Sequence, residues 1–242
     1  MSTRVADAGA AANAQKTSAD SPTDPFALLS EFGIVPVVEI PEARFAIPLA
    51  RALAEAGLTT IEVTMRTPDA LESIRQIATE LPEFHVGVGT LFTPANVIDA
   101  QAAGARFGVS PGYTPLLGRT AREAGLPLIP GAATASEIMA AVEDGFDTVK
   151  FFPAELNGGA KALSALLAPL AASSLRHVMP TGGVTPDNLG DYLRIPRVIA
   201  AGGTWIAPRA LIQAGEFDTI RDNAARALTL ARALLRDKDT TK

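Results

Sequence analysis

Eight short apolar segments return along this chain at nearly regular intervals, and most are rich in β-branched residues. Stretches rich in alanine and leucine, with the spacing of amphipathic helices, separate them. Parallel strands that alternate with helices predict an α/β fold, either a closed barrel or an open doubly wound sheet. Eight regular units favour a single (β/α)8 TIM barrel. The predicted strands cover residues 34–39, 60–65, 85–89, 106–109, 127–130, 148–152, 177–180 and 197–200.

Capping residues mark both ends of the predicted helices. Thr67, Thr93 and Thr185 each precede a proline at the first helical position, which predicts that they are N-caps. The last helical stretch, residues 208–235, is interpreted as two helices. Glycines just past four predicted helix ends indicate C-caps in the left-handed conformation, and they stand at positions 57, 104, 125 and 145.

The first residues differ in composition from the rest of the chain. Residues 1–24 are rich in Ser, Thr, Ala and Asp and contain no Leu, Ile or Phe. We interpret them as a disordered tail without a secretory signal. Residues 25–242 are predicted to form one domain, which opens with a short helix at 25–32 and has Asp24 as a candidate N-cap. No stretch is long and apolar enough to span a bilayer, so a soluble cytoplasmic protein is expected.

Charge and composition limit the partners of the chain. The net charge of −5 and the pI near 5.1 argue against a nucleic-acid or anionic-membrane partner. The chain contains no Cys, so neither a disulfide nor a thiolate metal site is expected. Its two histidines, His85 and His177, are far apart in sequence and lie in unrelated patterns. The sequence therefore predicts no metal centre.

Lys150 stands inside an apolar predicted strand at residues 148–152. Side chains alternate along a strand, so Lys150 shares a face with Thr148 and Phe152, and we expect that face to line the barrel interior. Burial removes hydration from an ammonium and favours the neutral amine, which is a nucleophile toward carbonyl groups. The same position also suits a lysine that extends to the barrel mouth or pairs with a buried carboxylate.

The strand at 60–65 has polar residues at its even positions and apolar residues at its odd ones. Glu62 lies in the middle of the polar face, where a carboxyl group in a confined site suits proton transfer. Arg66 leaves the end of the strand on the same face, and a guanidinium there can bind a carboxylate through two hydrogen bonds. The alternative is that Glu62 and Arg66 only neutralise each other.

Small and hydroxyl-bearing residues follow several predicted strands at their carboxyl ends, where barrel enzymes carry their active sites. Thr90 follows the third strand, and its hydroxyl is a candidate either to bind a substrate oxygen or to cap the next turn. Glycine pairs follow the last two strands, at Gly182-Gly183 and Gly202-Gly203. Such loops let backbone N–H groups point at an anion, which predicts a site for a phosphorylated ligand.

Taken together, these motifs resemble those of the 2-dehydro-3-deoxy-6-phosphogluconate (KDPG) aldolases, whose members often also act on 4-hydroxy-2-oxoglutarate. The resemblance covers the chain from about residue 25 to its end. It implies a class I aldolase of the Entner–Doudoroff pathway with the (β/α)8 fold, a homotrimer that needs no metal. The matching motifs are Glu62-Val63-Thr64-Met65-Arg66-Thr67, Val88-Gly89-Thr90, Ser110-Pro111-Gly112, Ile129-Pro130-Gly131, Lys150-Phe151-Phe152-Pro153-Ala154-Glu155, Thr181-Gly182-Gly183 and Gly202-Gly203-Thr204-Trp205.

The resemblance also implies a role for each matching residue. Lys150 would form the Schiff base and Glu62 would be the general acid and base. The substrate-binding residues would be Arg66 and Thr90 at the pyruvyl carboxylate, Pro111 and Phe152 around the pyruvyl carbons, and Thr181, Gly182, Gly183, Gly202, Gly203 and Thr204 at the phosphate end. Thr204 departs from the family pattern, in which Ser is common. The hydroxyl is kept, but the additional methyl group could change the substrate preference.

Three rival interpretations stay open at this stage. The first is the sister aldolase that cleaves the galactonate-derived 6-phosphate, in which Ser-Pro-Asn replaces Ser-Pro-Gly; the sequence Ser110-Pro111-Gly112 favours the gluconate type. The second is a catalytically silent barrel that binds phosphate, which predicts the loss of Lys150 or Glu62. The third is a metal-dependent aldolase, which the lack of His and Cys ligands opposes.

Overall fold

The computed structural model describes residues 26–240. The predicted tail at residues 1–24, with the candidate N-cap Asp24, lies outside this range. The strands are β1 (Ile34–Val38), β2 (Thr60–Thr64), β3 (His85–Gly89), β4 (Phe107–Val109), β5 (Leu128–Ile129), β6 (Gly131–Ala132), β7 (Thr148–Phe151), β8 (His177–Pro180) and β9 (Ala201–Gly203). The α-helices are α1 (Ala27–Phe32), α2 (Ala46–Glu55), α3 (Ala70–Glu80), α4 (Pro94–Ala102), α5 (Pro115–Glu123), α6 (Ala135–Glu143), α7 (Gly159–Leu167), α8 (Leu189–Leu193), α9 (Arg209–Ala214) and α10 (Phe217–Thr240).

The strands pair in parallel and form two sheets. The first sheet has the order β5-β4-β3-β2-β1-β9, and the second has the order β6-β7-β8. Isolated parallel bridges, Val178 to Val198 and Thr181 to Gly202, connect the β8 segment with the β9 segment. The predicted α/β fold is confirmed, with a parallel half-barrel sheet. Among residues 26–240, no helix is long and apolar enough to cross a membrane.

Two predicted strands differ from the observed ones. The predicted strand at 127–130 is only half of a segment that continues to Ala132 and is divided at Pro130, where proline has no N–H to donate to a ladder. The predicted strand at 197–200 is wrong, because the ladder with β1 is made by Ala201–Gly203 instead. Val198 forms only an isolated bridge. The apolar run indicated burial correctly, whereas backbone pairing depends on the position of the neighbouring strand.

The helix boundaries agree with the predicted caps in part. Thr93 caps α4 with its side chain, as predicted. The predictions for Thr67 and Thr185 are wrong, because α3 and α8 begin several residues further along. The Thr67 hydroxyl donates instead to the carbonyl oxygen of Ile40 at 2.7 Å, a nearer partner created by the fold. The four predicted C-cap glycines are confirmed, since all have a positive φ, between 68° and 90°. The stretch at 208–235 is indeed two helices, α9 and α10.

The two ends of the strands differ in chemistry. Helix α1 lies against a cluster of inward-facing apolar residues, in which Phe26 and Leu29 pack with Phe107, Ile129 and Met179. Apolar burial of this kind stabilises the fold by roughly 25 cal/mol per Å² and excludes water. Polar side chains with almost no solvent exposure lie further toward the carboxyl ends of the strands, and Glu62, Lys150 and Thr181 are among them. The fold therefore places Glu62, Lys150 and Thr181 toward the end where parallel α/β proteins bind ligands.

Candidate active site

A buried lysine and a buried glutamate meet at the centre of the candidate site. Lys150 on β7 donates a hydrogen bond from Nζ to Oε1 of Glu62 on β2, at 3.2 Å. The two side chains are only 7% and 1% exposed. Glu62 Oε2 has no hydrogen-bond partner among the described residues, although it is fully buried. Buried ion pairs contribute little net stability, which indicates a chemical role for this pair and not only a structural one. The buried oxygen without a partner, beside a cavity, points to the same role.

An aromatic ring and a glycine lie next to the Lys150–Glu62 pair. Lys150 Nζ lies 5.0 Å from the centre of the Phe152 ring, a distance at which a cation and an aromatic face attract each other. Gly89 on the neighbouring strand β3 faces the Glu62 carboxylate, and a Cβ atom there would lie 2.2 Å from Oε1. Gly89 therefore provides the space that the carboxylate occupies.

Replacing Gly89 by alanine is expected to displace the Glu62 carboxylate and lower kcat by about 10²-fold, the scale of a 1 Å misplacement of a reacting group. The φ angle of Gly89 is not in the left-handed region, so alanine fits the backbone and the effect is steric. Steady-state kinetics measure kcat, and trapping of pyruvate by borohydride reports on Lys150 separately. A variant with normal kcat would show that the position of Glu62 is not critical.

The pair lines a cavity of about 240 Å³ at the carboxyl ends of the strands. Ten of the residues proposed from the sequence line it: Glu62, Arg66, Thr90, Lys150, Phe152, Thr181, Gly182, Gly183, Gly202 and Thr204. Pro111 and Gly203 are not among its lining residues; Pro111 is exposed after β4, and Gly203 is buried in β9. Val37, Thr64 and Val184 complete the lining and were not singled out from the sequence. Thr64 could have been identified from the sequence as a cavity residue, because it lies on the polar face of β2.

Arg66 forms its ion pair with Glu39 and not with Glu62. Its Nη1 lies 3.2 Å from Oε1 of Glu39, which follows the end of β1. The arrangement in which Glu62 and Arg66 only neutralise each other is therefore not the one observed. The Arg66 side chain is 53% exposed, so part of its guanidinium stays accessible beside the cavity. Glu39 was not singled out from the sequence, because nothing in the local pattern of β1 links it to Arg66.

Thr90 has an unusual backbone conformation. Its φ of 66° is left-handed, and it is the one non-glycine residue with a positive φ among residues 26–240. A non-glycine residue in this region costs on the order of 1–3 kcal/mol, and such strain concentrates at functional sites. The N-cap of α4 is Thr93, so Thr90 does not cap that helix. Thr90 lines the same cavity as Lys150.

Hydrogen bonds to its carbonyl oxygens fix the Gly182-Gly183 loop. The Glu155 N–H donates to the Gly182 oxygen at 3.0 Å, and Asn188 Nδ2 donates to the Gly183 oxygen at 3.0 Å. Both glycines have a positive φ, 97° and 83°, which a residue with a side chain rarely adopts. The Tyr192 hydroxyl donates to Glu155 Oε1, and burial followed by this hydrogen bond raises the pKa of Tyr192 well above its usual value. The loop is thus a rigid wall of the cavity.

These features define a chemical class. A buried amine beside a buried carboxyl group, with hydroxyl and guanidinium groups at the rim of the same cavity, is the equipment of an enzyme that forms an imine with a carbonyl substrate. In residues 26–240, no group of three or more His, Cys, Asp or Glu side chains is arranged to hold a metal ion. The site is that of a class I, Schiff-base aldolase.

Comparison with known proteins identifies the family. The family model for KDPG and KHG aldolase matches residues 27–223. The KHG/KDPG aldolase of Escherichia coli (strain K12) is 42% identical over 213 residues, which cover 88% of this chain and 96% of that protein. The chain therefore belongs to the KDPG and KHG aldolase family and is a carbon–carbon lyase.

Solved structures of relatives share the fold. One is KDPG aldolase from Legionella pneumophila with pyruvate captured at low pH as a covalent carbinolamine intermediate. It is 36% identical with a TM-score of 0.80, over 85% of this chain and 98% of that one. Another is the aldolase of Zymomonas mobilis ZM4 with 3-phosphoglycerate, 37% identical with a TM-score of 0.77, over 84% of this chain and 94% of that one.

Proposed function

We propose that this enzyme cleaves 2-dehydro-3-deoxy-6-phosphogluconate into pyruvate and glyceraldehyde 3-phosphate, with Lys150 as the Schiff-base residue. The observation that carries the proposal is the contact of Lys150 Nζ with Glu62 Oε1, 3.2 Å long and buried, at the wall of a cavity that Arg66 and Thr90 also line. The covalent pyruvate adduct of the Legionella pneumophila relative supports the same chemistry.

The cycle begins at the C2 carbonyl group of the substrate. The neutral Lys150 amine attacks this carbon to give a carbinolamine, and loss of water leaves an iminium. Glu62, directly or through a water, removes the proton of the C4 hydroxyl group. The C3–C4 bond then breaks, its electron pair moves toward the iminium nitrogen, and glyceraldehyde 3-phosphate leaves. The remaining enamine takes a proton at C3, and hydrolysis releases pyruvate and Lys150.

One carboxyl group can serve both proton transfers. Glu62 accepts a proton at the C–C cleavage step and returns one to the enamine, so it is reset within each cycle. Its second oxygen, Oε2, has no partner in the described part of the chain and is free for a water or for the substrate. The contact with Lys150 keeps the carboxyl group beside the carbon atoms that exchange protons.

The pyruvyl end of the substrate is proposed to bind at Arg66 and Thr90. The guanidinium of Arg66 can form two hydrogen bonds with a carboxylate, and the Thr90 hydroxyl can donate a third. The Phe152 ring lies beside Lys150 Nζ and suits the pyruvyl carbons. Pro111 keeps its proposed role on the resemblance of the Ser110-Pro111-Gly112 motif, at a position outside the lining of the cavity.

The phosphate end is proposed to bind at the glycine loops after β8 and β9, with Thr181 and Thr204 beside them. The Gly182 and Gly183 carbonyl oxygens accept hydrogen bonds from protein donors, and the N–H groups of such a glycine loop are suited to bind an anion. Thr181 Oγ1 is buried without a partner among the described residues and lies against Gly202. The phosphorylated ligand of the Zymomonas mobilis relative supports a phosphate site in this fold.

Thr204 offers a clean test of the phosphate end, because it is exposed at the cavity and its change to valine replaces the hydroxyl group by a methyl group of similar size. Loss of one hydrogen bond to a charged group is expected to lower kcat/KM for the phosphorylated substrate by about 10- to 100-fold. Cleavage of 4-hydroxy-2-oxoglutarate, which has no phosphate, should change less than about twofold. Steady-state kinetics with both substrates make the comparison.

The matched control is Thr204→Ser, which keeps the hydroxyl group and should retain the activity on both substrates. Equal losses on both substrates in Thr204→Val would contradict a phosphate role. A glycine variant is less informative here, because a Cβ at Gly183 would lie 2.6 Å from Glu155 Cγ and would distort the loop itself.

The experiment that tests the proposed function is trapping of the imine. The enzyme is treated with pyruvate and borohydride, and the reduced adduct is located by peptide mass spectrometry. We expect one pyruvyl group on Lys150 and full activity after incubation with EDTA, because an iminium serves as the electron sink without a metal. Label on another lysine, or inhibition by EDTA that divalent ions reverse, would overturn the mechanism.

Two finer aspects of the activity belong to the same proposal. Cleavage of 4-hydroxy-2-oxoglutarate to pyruvate and glyoxylate uses the same imine and needs no phosphate contact. The Ser110-Pro111-Gly112 motif favours the gluconate over the galactonate configuration at C4. Assays with both C4 epimers measure that preference, and faster cleavage of the galactonate-derived epimer would reverse it.

A phosphorylated sugar acid does not cross lipid bilayers, so we place the enzyme in the cytoplasm.

We also propose that residues 25–242 form a single closed (β/α)8 barrel and that the protein is a homotrimer. The bridges from β8 to the β9 segment, and the ladder from β9 to β1, support closure.

For the trimer, large apolar side chains exposed on or next to helices α4, α5 and α6 support an interface. These side chains are Phe92, Ile98, Leu116 and Met139. Light scattering coupled to size-exclusion chromatography measures the mass, and a monomer at micromolar concentration would contradict the proposal.

A further inference from the structure

A second hollow of about 380 Å³ adjoins the active-site cavity and shares Val37, Thr64, Arg66 and Thr204 with it. Glu39, which follows β1, and Arg209, the first residue of α9, also line this hollow. Neither residue lines the active-site cavity itself. Arg66, the proposed ligand of the substrate carboxylate, thus borders both hollows.

One carboxylate bridges two arginines in this hollow. Glu39 Oε1 accepts a hydrogen bond from Arg66 Nη1 at 3.2 Å, and Oε2 accepts one from Arg209 Nη1 at 3.2 Å. Glu39 is the most buried of the three, with its side chain 29% exposed against 53% for Arg66 and 51% for Arg209. The cluster carries one net positive charge, which favours an anionic substrate nearby.

We infer that Glu39 is a positioning residue for the substrate carboxylate, acting through Arg66. A half-exposed arginine has several rotatable bonds, and ordering it on substrate binding costs free energy. Glu39 occupies only one donor group of the guanidinium, so Nη2 and Nε remain available for the substrate. The bond to Glu39 thus holds Arg66 in place before the substrate arrives. This inference rests on the proposed role of Arg66.

Arg209 keeps the bridge in its place. It follows Pro208, and it donates to Glu39 Oε2, the carboxylate oxygen that Arg66 does not use. A carboxylate bound at both oxygens has little freedom to turn, so its bond to Arg66 keeps its direction. Arg209 therefore contributes to the orientation of Arg66 without contacting the substrate.

The test is a double-mutant cycle on the full-length enzyme with the phosphorylated substrate. Glu39→Gln keeps the shape of the side chain and removes its charge. We expect KM to rise by about two- to tenfold, the cost of ordering one long side chain, while kcat changes less than about twofold. In an Arg66→Met background, which should itself raise KM, Glu39→Gln should add less than about twofold. Arg209→Met should raise KM in the same direction and by less.

The matched control is Glu42→Gln, three residues along the chain. Glu42 is an exposed glutamate that also accepts from an arginine, Arg44, at 2.8 Å, but at a distance from both hollows, so KM should stay unchanged. A fall in KM for Glu39→Gln would show competition with the substrate and overturn the inference. An equal rise in the Arg66→Met background would also overturn it, because Glu39 would then act elsewhere.

Different results would overturn the role of Glu39 and the proposed role of Arg66. If Arg66→Met raises KM and Glu39→Gln does not, the inference is overturned and the carboxylate role of Arg66 stands. If Arg66→Met leaves KM unchanged, the proposed role of Arg66 and the inference built on it are both overturned. Imine trapping on Lys150 in each variant confirms that the barrel is folded and the nucleophile competent.

Discussion

Replacing Lys150 by alanine is expected to abolish turnover, with a loss on the order of 10⁶-fold, the scale reached when a covalent nucleophile is removed. The described part of the chain offers no substitute. Lys161 lies exposed on α7, and Lys238 donates to the carbonyl oxygens of Ile195 and Val198. The measurement is kcat for the phosphorylated substrate, together with the amount of pyruvate trapped by borohydride, which should fall to background.

Lys150→Ala also leaves Glu62 without its partner, so some stability is lost, since breaking a buried pair costs roughly 3–5 kcal/mol. Lys150→Arg is the informative companion, because it keeps a cation beside Glu62 but has no nucleophilic amine. It should be as inactive as Lys150→Ala, while its circular dichroism and Tm stay closer to those of the unmodified enzyme. Turnover by either variant, or borohydride labelling of Lys161, would mean that the nucleophile lies elsewhere.

Changing Glu62 to glutamine is expected to lower kcat by about 10²–10⁴-fold, the usual contribution of a general acid–base group. The amide has nearly the same shape as the carboxyl group, so it fits the space beside Gly89 and should preserve the fold. It cannot accept and return a proton at C4 and C3. Imine formation by Lys150 should persist, and borohydride should still label this residue.

A half-reaction isolates the proton transfer. The enzyme should exchange the methyl protons of pyruvate with deuterated water, because enamine formation and protonation are reversible, and proton NMR follows that exchange. Glu62→Gln should slow the exchange and the cleavage by similar factors. If both rates stay within a few-fold of the unmodified enzyme, Glu62 serves only as the structural partner of Lys150. Slow cleavage with normal exchange would assign Glu62 to the C4 proton alone.

The contrast between the two variants follows from their places in the cycle. In the proposed cycle, Lys150 makes the covalent bond on which every later step depends, so its loss would remove the whole pathway. In the same proposal, Glu62 accelerates steps of a pathway that remains open without it, because water can carry protons at a lower rate. The 3.2 Å contact between Lys150 Nζ and Glu62 Oε1 places the two groups side by side.

Much of the fold and of the site could be predicted from local patterns. The alternation of apolar strands with helical stretches predicted the α/β class. The spacing of apolar residues that distinguishes a strand from a helix is visible within a few consecutive residues. The positive φ angles at glycines 57, 104, 125 and 145 followed from their positions just past helices. The alternation in β2 and β7 placed Glu62 and Lys150 on inward faces, and the structure brings these faces together.

Other features depend on residues that are distant in sequence. The ladder of Ala201–Gly203 with β1 is formed by small residues without strand propensity, because the edge of β1 offers them backbone partners. The left-handed conformation of Thr90 runs against the preference of a β-branched residue and is maintained by its surroundings. The role of Gly89, which leaves space for the Glu62 carboxylate, can be seen only in the tertiary structure, where the two residues are neighbours.

By itself, the sequence determined the class of fold and the glycine caps of four helices, and it predicted Lys150 and Glu62 as the reacting pair, since side-chain alternation and helix capping are local. Only the tertiary structure decided which charges meet. Arg66 pairs with Glu39 rather than with Glu62, and Arg209 joins them from the other end of the chain. The reason is physical: ion pairs depend on distance in space. That distance is set by the packing of whole strands and helices and cannot be read from spacing along the chain.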